Sequence, residues 1–209
     1  MSENRVRHKR GETRGRSRGA LNARPLTLVA GLILALGFHA RVVRSQADSP
    51  GEYQLKAAFL FNFAKFIEWP PSTFSSPTSS FAICILGDDP FGKAIDDVLR
   101  GKTIREHPVI IMRCKDVAEA RHCHILFISS SERKHLPEVF AALRGTNTLA
   151  IGETDGFAAS GGAIQFTIEE ARVHFLINPD AAERSGLQIS SKLLALARIV
   201  RDVPINGKG

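Results

Sequence analysis

Asp88 and Asp89 stand side by side where an apolar run gives way to a helical pattern, in Gly87-Asp-Asp-Pro-Phe-Gly92. Paired carboxylates suit a metal ion or acid–base work, and the turn after the first strand of an α/β protein is where phosphate or a cofactor binds. The local pattern argues against these. It holds no GxGxxG and no GxxxxGK[ST], and two aspartates repel phosphate. Asp89 reads instead as a helix cap, with Pro90 at the first helical position. Ser129-Ser130-Ser131 also follows an apolar run. It lacks the GxSxG elbow, and His124 and His135 are not placed to activate it. The plainer reading is a strand-to-helix turn with Ser131 as cap. Thr154-Asp-Gly-Phe and Ser160-Gly-Gly are turn chemistry.

Two further groups remain. Arg172 and His174 alternate on one face of a strand-like run, and Lys192 begins a later helix. With the Gly-rich 152–162 stretch they form a candidate cleft for an anionic ligand, against a plainer reading as solvated charge at a sheet edge. Cys84, Cys114 and Cys123 are the three cysteines. No CxxC or Cys/His spacing suits zinc, and His122 and His124 flank Cys123 at adjacent strand positions, which face away from the cysteine. No metal, cofactor or catalytic set is expected, and the chain reads as non-enzymatic.

The elements that position these groups begin with Tyr53 to Pro70, YQLKAAFLFNFAKFIEWP. Phe59, Phe63 and Phe66 recur at i, i+4 and i+7, one face of a helix. Asn62, Lys65 and the Trp69 edge lie along a second stripe. Trp69-Pro70-Pro71 is read as the helix end, because a proline disfavours helical geometry in the residue before it. A helix this apolar is covered on most of its circumference, as core or as a partner-facing strip.

Downstream, apolar runs alternate with helical patterns. Phe81 to Gly87, His107 to Arg113, Cys123 to Ser129 and Thr148 to Gly152 read as strands. FGKAIDDVLRG, Lys115 to Arg121 and Ser131 to Leu143 read as helices, with Pro137 in or near the first turn of the third. This alternation indicates βαβ crossovers and a parallel sheet. Gly161-Gly162-AIQFT and ARVHFLIN, joined by Ile168-Glu169-Glu170, suggest an antiparallel hairpin at the sheet edge. Pro179 to Ser185 begins a helical turn, and Ser190 to Val200 is a final helix with Leu193, Leu194, Leu196, Ala197 and Val200 as its apolar face. The expected class is therefore α/β, a three-layer, mostly parallel, flavodoxin- or Rossmann-like sheet with an antiparallel C-terminal edge hairpin. A flavodoxin-like order, 2-1-3-4 and onward, sets the first and third strands side by side and favours a Cys84–Cys123 bridge. Cys114–Cys123 and a fully reduced set stay open alternatives.

Residues 1–47 read as a cleaved export signal. A long basic n-region precedes an apolar stretch from Pro25 to Phe38, shorter than the roughly 20 residues of a membrane span. Ser45-Gln46-Ala47 offers small residues at −3 and −1, Ala40 marks a second cleavage point, and an uncleaved anchor is the competing reading. The chain's net charge of +7 resides in this leader. Its ten basic and two acidic residues leave 18 and 19 of the chain's 28 and 21 for the remainder, which is near neutral. Nucleic acid is therefore not an expected partner. One α/β domain over 48–203 and a frayed tail over 204–209 complete the organisation.

Four segments together resemble the YfiR-like family: Tyr53 to Pro71, Phe81 to Gly92, TLAIGETDGFAASGGAIQF (148–166) and VHFLINPDAAERSGLQISSKLLALA (173–197). The combination of KAAFLFNFAKFIEWP, a GG-hydrophobic-x-F run and ISSKLL is specific. The resemblance implies a periplasmic regulator with a compact α/β fold that forms a homodimer. Such a regulator restrains an inner-membrane diguanylate cyclase through the cyclase's periplasmic sensor domain, which lowers cyclic-di-GMP and biofilm formation. It is itself sequestered by an outer-membrane lipoprotein. Disulfides make that repressor redox-responsive, and Cys84 and Cys123 fit the positions of one bridge. No cysteine pair follows Cys123 to make a second. Other relatives accompany histidine kinases or outer-membrane receptors, so a small-ligand module serving a kinase, receptor or transporter is the alternative. Phe59, Asn62, Phe63, Lys65, Phe66, Trp69, Leu193 and Leu196 are the expected packing or partner surface.

Overall fold

The computed structural model describes residues 50–202, so the expected leader and tail lie outside the described residues. The first helix, α1 (Pro50–Lys65), carries Tyr53, Lys56, Ala57, Leu60, Phe63 and Ala64 on its buried side. That spacing follows the helical period, with one lysine among the apolar positions. The helix stops at Lys65, four residues before Trp69. Phe66 N–H closes a tight last turn onto Phe63 O at 2.9 Å. Burial then alternates, with Ile67 and Trp69 inside and Glu68 outside, as along a strand. Ile67–Glu68 forms β1, antiparallel to β9 (Gln188–Ile189). A β-branched residue with a waiting strand partner thus ends the helix before the prolines act.

The main sheet has eight strands. In chain order they are β2 (Phe81–Leu86), β3 (Thr103–Ile104), β4 (His107–Cys114), β5 (Ile125–Ile128), β6 (Leu149–Gly152), β7 (Ile164–Glu169), β8 (Arg172–Ile177) and β10 (Arg198–Ile199). Their spatial order is β10-β8-β7-β6-β5-β2-β4-β3. The run β4-β2-β5-β6-β7 is parallel throughout and realises the expected 2-1-3-4 order. β2 and β5 are buried at every position, as strands covered on both faces must be. One core layer takes Ile83, Ile85, Ile125 and Phe127 with α1, α2 (Lys93–Leu99) and α5 (Pro179–Arg184). The other takes Ala82, Cys84, Leu86, Leu126 and Ile128 with α3 (Val117–Ala120) and α4 (Leu136–Ala142).

Several expected elements differ in detail. Asp89 Oδ1 accepts from Phe91 N–H at 2.8 Å and Gly92 N–H at 3.2 Å, so it closes the turn ahead of α2, which begins only at Lys93. The third helix is divided into a 3-10 segment over Ser130–His135 and α4, where Pro137 occupies the first turn because it has no N–H to donate. Ser129, not Ser131, is the cap, its Oγ accepting from Ser131 N–H. The third strand begins at Ile125, which leaves Arg121–His124 in the preceding turn.

β7 and β8 form the expected antiparallel hairpin, but β8 is not the edge. The expected final helix over 190–200 is a single turn, α6 (Ser191–Leu194), after which β10 pairs parallel to β8. Val200 N–H donates to Ile177 O at 2.8 Å. The unpaired backbone of β8 offered this segment hydrogen bonds that outweigh the apolar helical pattern of Leu193 to Val200.

Candidate functional site

The crossovers leave β2 and β5 in opposite directions, which opens a crevice beyond their C-terminal ends. Asp88 and Asp89 follow β2, Ser129–Ser131 follow β5, and Glu153 follows β6. Tyr53 and Lys56 enter from α1. A cavity of about 480 Å³ continues past Glu153 towards Asp155 and Phe166. Lys56 is only 3% exposed, yet its ammonium is satisfied by Glu52 Oε1 at 2.5 Å and Glu153 Oε2 at 2.6 Å. Tyr53 Oη donates to Glu153 Oε1 at 3.1 Å, and Lys56 Nζ lies 4.5 Å from the Tyr53 ring centroid. The carboxylate therefore holds two donors of one helix at the end of a central strand.

Several other polar groups of the crevice are engaged. Arg113 donates from Nε to Asp89 Oδ2 and from Nη2 to Asp96 Oδ2, each at 2.7 Å. Its hydrogen bond to Asp96 holds that carboxyl below the usual range. Ser131 Oγ accepts from Asp88 N–H at 3.0 Å. His135 pairs with Glu132 at 3.1 Å, while His124 sits before β5, at the other end of that strand. Glu52, Asp88, Asp89, Glu153 and Asp155 outnumber Lys56 and Arg113, so the crevice repels phosphate. Among the described residues these serines and carboxylates form turns and ion pairs, and no base faces a nucleophile.

The expected partner surface is divided by burial. Phe63, Trp69 and Leu193 lie inside. Phe63 meets Phe166 and Phe175 with ring centroids 5.8 and 5.0 Å away, and half-buried Phe59 packs on the same cluster. Trp69 stands edge-on to Phe81 and donates from Nε1 to Asn147 O at 3.1 Å. Phe66 is half-buried, and Asn62 and Lys65 are exposed. Lys65 Nζ lies 4.1 Å from the centroid of Phe61. Leu196 is 72% exposed, since its helix ends before reaching it.

Arg172 and His174 are exposed on one face of β8, opposite Glu169 and Thr167 of β7. Lys192 is exposed on α6. The crevice cavity includes none of these three.

Cys84 and Cys123 are bridged, with Cα atoms 6.0 Å apart, and Cys114 is a free buried thiol. The three Sγ atoms lie within 4.8 Å of one another. Sequence reasoning missed this convergence. Its signal was register: β2 and β4 pair Leu86 with Cys114, one step along the same face from Cys84. It also missed the burial of His124, which lies between Phe74 and Phe81 and accepts at Nδ1 from Ala82 N–H at 3.1 Å. Burial, with a smaller contribution from His107, lowers its pKa to about 4.

Comparison with family models matches residues 53–198 to a family described as YfiR/HmsC-like. Comparison with curated proteins returned no match. Among solved structures, the ABC domain in complex with L-Trp from Streptococcus pneumonia is similar at 11% identity and a TM-score of 0.46. That likeness covers 71% of this chain and 60% of the other, less than two thirds of its length.

Proposed function

Because the chain belongs to the YfiR/HmsC-like family, we propose that it is a non-enzymatic periplasmic regulator that restrains an inner-membrane diguanylate cyclase. It does so by binding the cyclase's periplasmic sensor domain, and cyclic-di-GMP falls as a result. The observation that carries this reading is the extent of the family match, which takes in nearly all of the described body. Two features support it. No described helix is long and apolar enough to cross a membrane, and the crevice where an α/β enzyme would react is occupied by structural ion pairs.

The mechanism is linkage. A regulator that binds one state of the sensor biases it by about 2.7 kcal/mol at roughly 100 times the dissociation constant. Asn62, Lys65 and Leu196 are the exposed members of the expected surface and form the contact, with Phe59 and Phe66 at its margin. Phe63, Trp69 and Leu193 support it from inside. A homodimer presents the surface, and an outer-membrane lipoprotein competes for it. Deleting the gene raises cyclic-di-GMP, and restoring the wild-type chain lowers it. Leu196→Asp leaves the melting temperature unchanged but fails to restore repression. An unchanged cyclic-di-GMP level in the deletion strain, with the cyclase intact, removes the cyclase reading.

One observation favours a second reading. Arg172 and His174 are adjacent, exposed and without a polar partner among the described residues, as a receptor for a small organic anion requires. The chain would then serve a histidine kinase, receptor or transporter. A melting shift with such an anion, abolished by Arg172→Ala, selects this reading.

A further inference from the structure

Cys84, Cys114 and Cys123 meet in the core layer beneath α3 and α4, all three side chains buried and their Sγ atoms within 4.8 Å. Two are bonded and Cys114 keeps its thiol. A thiol this close to a disulfide is within reach of exchange, which proceeds when its thiolate lines up with the sulfur–sulfur bond. We propose that the three cysteines form an intramolecular thiol–disulfide exchange site, in which Cys114 replaces Cys84 as the partner of Cys123.

In this step the Cys114 thiolate attacks Cys123 Sγ. The Cys114–Cys123 bond forms while the Cys84–Cys123 bond breaks. Cys84 leaves as a thiolate and takes up the proton that Cys114 released. One disulfide and one thiol are present before and after, so no oxidant or reductant is consumed.

The strands decide which sulfur is attacked. Cys84 lies inside β2 and is held in register on both sides, opposite Met112 of β4 and Leu126 of β5. Cys114 is the last residue of β4, and Cys123 precedes the first residue of β5. Both therefore sit at the ends of the connection that contains α3. A bond between them tightens that connection and leaves the central strands in place. Burial, then Glu119 and Asp116, push the Cys114 thiol up, which keeps its thiolate scarce and lets the Cys84–Cys123 bridge persist at rest. The isomer differs mechanically. The resting bridge spans a separation of 39 residues and ties β2 to the segment entering β5. The exchanged bridge staples only the local connection and unties β2.

The test uses the full chain, purified after export. Folded Cys84→Ser, oxidised with glutathione disulfide and then denatured and alkylated, is expected to fall from two titratable thiols to none, with a cross-linked peptide joining residues 114 and 123. Cys84→Ser/Cys114→Ser keeps its one thiol. Two thiols remaining in folded Cys84→Ser overturn the proposal. The wild type supplies a measurement that does not depend on the variants. After incubation in native buffer, acid quenching and alkylation in denaturant, part of the label is expected to move from Cys114 to Cys84. Label confined to Cys114 at every time and temperature overturns the proposal equally.

Discussion

Lys56 Nζ lies 2.6 Å from Glu153 Oε2 across a sequence separation of 97 residues, and this contact fastens the first helix to the C-terminal end of β6. The lysine stands on the buried side of α1, between Tyr53 and Phe166. Glu153 also receives the Tyr53 hydroxyl, so one carboxylate orients two residues of the helix.

Removing the ammonium leaves that carboxylate facing Glu52 without its counter-charge. Lys56→Met is expected to cost about 3 kcal/mol, the scale for breaking a buried ion pair from one side. Urea unfolding followed by circular dichroism measures it. A midpoint equal to that of the wild type would show that the pair has no net role.

Acid stability depends on His124. Its folded pKa of about 4 lies below the ordinary 6.5, so its contribution is fully present above pH 6.5 and is lost as pH falls through about 4. The whole change is worth about 3 kcal/mol. Urea midpoints at pH 7, 5.5 and 4 are expected to decline across this window, and His124→Asn to flatten the decline. Asp96, also depressed in the folded state, loses its contribution only below its ordinary 3.8.

Reducing the Cys84–Cys123 bridge frees the unfolded chain over 39 residues of separation. Loop-closure entropy puts the loss at about 4 kcal/mol. Thermal unfolding with and without dithiothreitol reports it, and Cys114→Ser leaves the difference in place because that thiol closes no loop at rest.

Phe157 is fully buried, and its ring lies in a slot between Gly152 and Gly162. A Cβ on Gly152 would come within 2.6 Å of Phe157 Cε2, and one on Gly162 would sit within the ring's edge. Gly162→Ala is expected to destabilise by about 2 kcal/mol through overpacking. Combining it with Phe157→Leu recovers part of the loss, as denaturant titration of the single and double variants would show.

Period and composition carried β2 and β4 to β8 to within a few residues, but not the two-residue strands β1, β3, β9 and β10. FAICIL, ILFI and LAIG are too apolar for a strand with one wet face, and short crossovers between such strands leave a doubly covered parallel sheet as the consistent answer. The strand order followed, and with it the adjacency of Cys84 and Cys123. These properties are local, or follow from local ones through handedness.

The larger departures involve a partner distant in the chain. Ile67 left the helix because β9 was there to pair with it, and Arg198–Ile199 became a strand because β8 had an open edge. Lys56 reads as a surface lysine until Glu153 is brought beside it, and Cys114 as a spare thiol until β4 is set in register against β2. Residue type and spacing settle which conformations each segment favours. A backbone edge, a counter-charge or a neighbouring sulfur selects among them only once the chain has closed on itself, since interactions across tens of residues leave no trace in a local pattern.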